Sequence, residues 1–181
     1  SLNLRAAPRT LRPGAHGKVL TLPCLWRPRL CLRAAPLQPV NGGLPMLGNL
    51  SAHRERVAAD MAKIFPDPAA TGVAALDWEV WRPWMVIKSW SVYVNETLAY
   101  VAGLHPRMPR VQLEAEAIRV WNASSLEWLV ETAKAMKAAR PRIQLGVYSY
   151  PDCYADRTPF GSDPGCGTFV QGINDALGPL Y

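Results

Sequence analysis

Two carboxylates set two residues apart, Asp77 and Glu79, are the positions in this 181-residue chain best suited to do chemistry. They follow Gly72-Val73-Ala74-Ala75-Leu76, a short apolar run of the kind that forms a buried strand. Side chains alternate along a strand, so Asp77 and Glu79 share one face and Trp78 points to the other. Pro83 cannot continue a central strand, which predicts a strand end near Glu79. Two acids side by side where a strand opens into a loop resist ionising together, and one of them is pushed to a higher pKa. A carboxylic acid kept protonated near neutral pH is what a general acid needs. The same spacing also suits a strand end carrying two solvated acids, and spacing alone does not separate the two.

The elements that must hold this pair can be read on either side of it. Asn41-Gly42-Gly43 is turn chemistry. Leu50, Val57, Met61 and Ile64 form an apolar stripe at helical spacing, with Asn49 or Ser51 as N-cap and Phe65-Pro66 as the stop. A helix is expected over 91–104, with Val94, Leu98, Val101 and Leu104 on its inner side. A longer one is expected over 111–139, with Ile118, Trp121, Leu129, Ala133 and Met136 inward, stopped by Arg140-Pro141. Ile143-Gln144-Leu145-Gly146-Val147-Tyr148 reads as the next strand. Strand, long helix, strand is a βαβ unit, which predicts a parallel sheet in an α/β fold. Acids at the C-terminal end of such a strand suggest a barrel of the TIM type, whose sites lie at that face.

Composition limits the alternatives. Hydrophobic residues make up 49% of the chain, and no run is long enough to span a membrane. The net charge of +6 invites a reading as a binder of nucleic acid or another polyanion. Its distribution argues against that. Residues 1–54 hold eight Lys/Arg and no Asp/Glu, whereas the remainder holds twelve basic and fourteen acidic residues. The excess belongs to an N-terminal arm, 1–40, rich in Arg, Pro and Ala, whose six prolines break any helix or central strand. The arm reads as a disordered extension. No signal peptide is visible in it, since Val19-Leu20-Thr21-Leu22 is stopped by Pro23. The sequence holds no phosphate loop, no Ser/His/Asp arrangement and no metal-ligand spacing, so neither a metal nor a cofactor is expected. His16, His53 and His105 are scattered singly and read as surface residues.

Four segments, in order, resemble the hyaluronidase family of animal and venom glycosidases. They are Asn41-Gly42-Gly43-Leu44-Pro45; Asp77-Trp78-Glu79-Val80-Trp81-Arg82-Pro83; Leu129-Val130-Glu131-Thr132; and Gly146-Val147-Tyr148-Ser149-Tyr150-Pro151-Asp152-Cys153-Tyr154. The resemblance covers roughly 41–181. It implies a slightly irregular TIM-like β/α barrel, of which residues 41–181 would supply about the first half, because a complete barrel takes about 250 residues. On that reading the chain is a partial hyaluronidase: a fragment, a truncated form or a faulty gene reading. The alternatives it leaves are a catalytically inactive truncated fragment or a carbohydrate-binding remnant. Residues 1–181 alone are expected to be nearly inactive and marginally folded, with an unpaired sheet edge.

The chemistry that the resemblance implies is retaining cleavage of the β-1,4 bond at N-acetylglucosamine in hyaluronan, or in a related polymer such as chondroitin. Glu79 would be the proton donor and then the base. The substrate's acetamido oxygen would act as nucleophile, the substrate-assisted exception to a two-carboxylate scheme. Asp77 would position the acetamido group, raising the Glu79 pKa as it does so, and Tyr148 would help to hold that group. Asp152, Tyr154 and Trp81 match positions near the cleft, with Trp81, like Trp78 and Trp84, also suiting a core role. The family pairs the positions of Cys153 and Cys166 in a disulfide, a closure worth about 3 kcal/mol in the chain-entropy picture. The glycosaminoglycan is the only partner implied. A secreted or lysosomal location is implied too, and the sequons at Asn49, Asn95 and Asn122 agree with it.

Overall fold

The computed structural model describes residues 2–3, 21–22, 42–77, 91–148, 150–151, 157–158, 161–162 and 168–180. Within the N-terminal arm, strand β1 (Leu2–Asn3) pairs antiparallel with β2 (Thr21–Leu22). The first larger feature is a glycine turn. Gly42 and Gly43 hold φ values of 92° and 73°, a left-handed region that favours glycine. A Cβ on Gly42 would run into the Leu47 carbonyl, so the close approach requires glycine as well. A single 3-10 turn, Pro45–Leu47, then leads into helix α1, Leu50–Ile64. Asn49 is its N-cap: the side-chain oxygen accepts the Ala52 N–H at 3.0 Å, satisfying one of the donors that a helix start leaves open.

Strand β3, Gly72–Leu76, follows. Helices α2 (Ser91–Leu104) and α3 (Arg110–Ala139) then lead to strand β4, Ile143–Val147. β3 and β4 are parallel neighbours, with Gly72 opposite Ile143 and Leu76 opposite Val147. The predicted parallel pair and the helices between its strands are therefore present. The strand ends at Leu76 rather than near Glu79. Its partner explains why: after Val147 the chain turns, and the Tyr150 N–H bonds back to the Val147 carbonyl at 3.0 Å, so no ladder continues alongside Asp77. A two-residue hairpin, β5 (Arg157–Thr158) and β6 (Gly161–Ser162), and helix α4, Thr168–Leu177, complete the described elements.

Helix α3 is about 45 Å long at 1.5 Å per residue, and it serves two cores. Its C-terminal half presents Leu129, Ala133 and Met136 to Val57, Met61 and Phe65, to Leu76, Leu145 and Val147 of the strands, and to Ile173 and Leu177 of α4. The part from Ala117 to Trp128, spanning its middle, presents Ala117, Trp121 and Trp128 to Leu44, Tyr93 and Val101. The inner side of α2 differs from expectation. Tyr93, Thr97 and Val101 are buried, Val94 and Leu98 are half-buried, and Leu104 is exposed. The helix is turned by about one residue, 100°, because the Tyr93 ring packs at 5.6 Å on Trp121. Thr97 tolerates full burial because its hydroxyl donates to the Tyr93 carbonyl at 2.7 Å.

Candidate active site

Asp77 follows directly on the last residue of β3 and is 1% exposed. Tyr148 follows directly on the last residue of β4 and is 43% exposed. The ladder pairs Leu76 with Val147, so Asp77 and Tyr148 occupy neighbouring positions at the C-terminal ends of adjacent parallel strands. The Tyr148 N–H fixes this register by donating to the Leu76 carbonyl at 2.8 Å. Ala74 and Leu76 on β3, and Ile143, Leu145 and Val147 on β4, are the side chains turned into the helix-packed core. Alternation assigns Asp77 and Tyr148 to the opposite face, with Val73, Ala75, Gln144 and Gly146. A buried carboxylate and a solvent-accessible phenol thus share one sheet face at the strand end where α/β folds place their sites. A carboxyl and a phenol at neighbouring strand ends bring a hydrogen-bond acceptor and a hydrogen-bond donor to the same end of the sheet.

The other proposed site positions distribute as follows. Glu79, Trp81, Asp152 and Tyr154 lie outside the described residues, as do Trp78, Trp84 and the cysteines Cys153 and Cys166. Of the sequon asparagines, Asn49 is exposed and serves as the α1 N-cap, Asn95 is exposed on α2, and Asn122 is half-buried in α3. No three His, Cys, Asp or Glu side chains among the described residues gather in a way that could hold a metal ion. Nor is any helix among them long and apolar enough to cross a membrane.

His53 is where the sequence reading goes wrong. It is 7% exposed, not a surface residue. Its Nε2 lies 2.6 Å from Thr132 Oγ1, and its ring packs at 5.0 Å on the Trp128 indole. Burial pushes its pKa down from 6.5 to about 3, so the ring is neutral at ordinary pH. The one available signal was spacing: His53, Val57 and Met61 lie on one helical stripe, with His53 four residues ahead of Val57. Polarity hid it, because a histidine in that stripe looks like an interruption until its partner Thr132, 79 positions away, is known.

A family model described as hyaluronidase matches residues 32–181, beginning somewhat ahead of the Asn41 boundary expected from the motifs. Hyaluronidase-1 of Homo sapiens is 34% identical over 148 residues, covering 80% of this chain and 34% of that protein. A chondroitin hydrolase of Caenorhabditis elegans is 34% identical over 146 residues, covering 79% of this chain and 31% of that protein. Among solved structures, bee venom hyaluronidase in complex with a hyaluronic acid tetramer superposes with a TM-score of 0.63 at 32% identity, covering 79% of this chain and 44% of that one. The chain spans about a third of the length of the mammalian relatives it matches.

Proposed function

The chain belongs to the hyaluronidase family of glycoside hydrolases, and from that premise we propose that it carries the acid–base end of an endo-acting glycosidase site. The substrate is a glycosaminoglycan containing N-acetylhexosamine, hyaluronan first and chondroitin second. A relative solved with a hyaluronic acid tetramer and another named chondroitin hydrolase support that order of candidates. The proposed architecture is a TIM-like barrel in which β3 and β4 are adjacent parallel strands. The proposed location is the secretory route, outside the cell or in lysosomes.

The observation that carries the proposal is the adjacency of Asp77 and Tyr148 at the C-terminal ends of β3 and β4. An acetamido group placed over this pair could donate its N–H to Asp77 and accept from the Tyr148 hydroxyl. Held so, its carbonyl oxygen is aimed at the anomeric carbon, and it attacks as the glycosidic bond breaks. Asp77 then stabilises the positive charge that develops on the acetamido-derived ring. Glu79, two positions further along the chain, protonates the departing oxygen. It then takes a proton from the water that opens the cyclic intermediate, returning the original configuration. Trp81, Asp152 and Tyr154 would line the cleft. A Cys153–Cys166 bridge would hold the loop that carries Asp152 and Tyr154.

The test is Glu79→Gln in a protein of the relatives' full length bearing these residues. Glutamine keeps the shape but has no acid proton. Loss of hyaluronan shortening by size analysis, with retained binding to immobilised hyaluronan, is the expected result. Turnover close to the unmutated protein would remove Glu79 from the acid role. Running chondroitin in parallel separates the two substrates.

A further inference from the structure

The three sequons have no part in the chemistry above, and the fold treats them differently. Asn49 caps α1, its side-chain oxygen accepting the Ala52 N–H at 3.0 Å. Asn122 is half-buried in α3 between the buried Trp121 and Ser125, and its carbonyl accepts from the Ser125 hydroxyl at 3.4 Å. An oligosaccharide on Asn122 would have to push packed neighbours aside. Asn95 is exposed on α2, as is Glu96 beside it. Tyr93, Thr97 and Val101 mark the buried side of that helix. Val92, Asn95, Ala99 and Ala102 fall at the spacing of one helical face on the other side, with Gly103 next to them. That outer face is mostly apolar. Ala99 and Gly103 are exposed, and a Cβ on Gly103 would meet nothing within 4 Å, so the face is open at that end. Glu96 is the only charged side chain in the helix.

We propose that Asn95 is the acceptor of an N-linked glycan whose core lies along the outer face of α2 and keeps that face from associating with other apolar surfaces. The proposal rests on the secretory location proposed above, where the glycosyl donor is found. That donor is an oligosaccharide joined through pyrophosphate to a lipid. Asn95 Nδ2 forms a bond to the anomeric carbon of the donor's terminal N-acetylglucosamine as the bond from that carbon to the pyrophosphate oxygen breaks. The lipid pyrophosphate leaves with the electron pair, and one Nδ2 proton goes to a base of the transferase. The product is an uncharged, bulky and solubilising substituted amide that only a surface position can carry.

Thr97 dates the transfer. Its hydroxyl completes the sequon, yet in folded α2 it is fully buried and donates to the Tyr93 carbonyl at 2.7 Å. A transferase that reads that hydroxyl must do so before α2 winds. The glycan is therefore added to the unfolded chain, and the outward position of Asn95 lets the helix pack with the glycan in place. Gly103 lies about 12 Å along the axis from Asn95 at 1.5 Å per residue, within reach of a glycan core. The apolar C–H face of a pyranose ring suits Ala99, Ala102 and Gly103, while the hydroxyls on its rim stay in water. Covering such a face removes a patch that would otherwise favour self-association.

The test uses a protein of the relatives' full length bearing these residues, secreted from animal cells behind an added leader. Peptide N-glycosidase turns a glycan-bearing asparagine into aspartate, which peptide mapping detects. Conversion is expected at Asn95 and not at Asn122. An unconverted Asn95, or a glycan on Asn122, would overturn the assignment. Because the leader is supplied, those outcomes leave the proposed location untouched. The location fails instead if protein from its native source is bare at Asn95 while the leader-directed protein carries the glycan. Shielding is read by sedimentation of Asn95→Gln, a surface substitution that the fold should tolerate. The variant should shift toward larger species than the glycosylated protein at equal concentration. Enzymatic removal of the glycan from the folded protein gives the same comparison without a substitution. Unchanged sedimentation in both would rule out the shielding role.

Discussion

The backbone N–H of Tyr148 donates to the carbonyl of Leu76 at 2.8 Å, the last bond that ties the end of β4 to the end of β3. It sets Tyr148 beside Asp77 without using either side chain. The phenol and the carboxylate are therefore free to differ in burial, 43% against 1% exposed, while their positions stay locked by the main chain. The main-chain register thus sets these neighbouring positions.

The first prediction uses that separation. In a full-length family member bearing these residues, Tyr148→Phe should lower kcat/KM on hyaluronan about 10²-fold, the order that a misplaced reacting group costs. Its thermal stability should change by less than about 0.5 kcal/mol, because the group removed is largely exposed. Asp77→Asn should impair turnover more severely, since the acetamido-derived cation loses its counter-charge. Steady-state kinetics beside a melting curve would check both, and wild-type turnover in Tyr148→Phe would exclude the phenol from the reaction.

Much of this arrangement was legible in the sequence because the relevant signals are local. The run ahead of Asp77, the periodicity of α1 and α3, and the stop at Arg140-Pro141 each announce an element from adjacent residues. The parallel pairing of β3 with β4 follows from the helices between them. What could not be read depends on partners far apart in the chain. The α2 face was misjudged because Val94 and Leu98 are more apolar than Thr97, and only the Tyr93–Trp121 contact reveals which side turns inward. His53 was misjudged because its burial rests on a hydroxyl in another helix. The adjacency of Asp77 and Tyr148 sits between these cases: the motifs named both residues, but only the register puts them side by side.

The α2 orientation gives the second prediction. Tyr93→Ala should cost about 3–5 kcal/mol, the range for deleting a buried ring. Leu98→Ala, at a half-buried position, should cost about 1–2 kcal/mol. Denaturant midpoints of the two variants test the order. If Leu98 proved the more costly, α2 would sit with its other face inward.

The third prediction concerns Gly48. Its φ of −80° is open to any residue, so backbone strain does not demand glycine there. Sterics do, because a Cβ would come within 2.5 Å of the Trp128 ring. Gly48→Ala should therefore destabilise by about 1–3 kcal/mol through overpacking. In a Trp128→Phe background, where the indole no longer reaches Gly48, the same change should cost clearly less. A double-mutant cycle measures that coupling, and strict additivity would show that the two residues do not press on one another.

The last prediction concerns Arg140, a cation only 7% exposed. Its Nε–H donates to the Phe65 carbonyl at 2.6 Å, and another guanidinium nitrogen donates to the Ala139 carbonyl. Phe65 ends α1 and Ala139 ends α3, so one guanidinium joins the negative ends of two helices that are packed side by side. This gives the buried charge its compensation and gives two helix-end carbonyls a donor that the helices themselves cannot supply. Arg140→Met keeps most of the apolar stem but leaves the Phe65 carbonyl without its charged donor. It should destabilise by about 1–3 kcal/mol, the desolvation cost of a buried acceptor that loses its hydrogen bond. Arg140→Lys keeps the charge but not the planar fork, and should fall between the two. Amide hydrogen exchange localises the effect: protection should drop first in the last turns of α1 and α3. Protection lost evenly across the molecule, with no excess at those two helix ends, would show that Arg140 does not act as their shared cap.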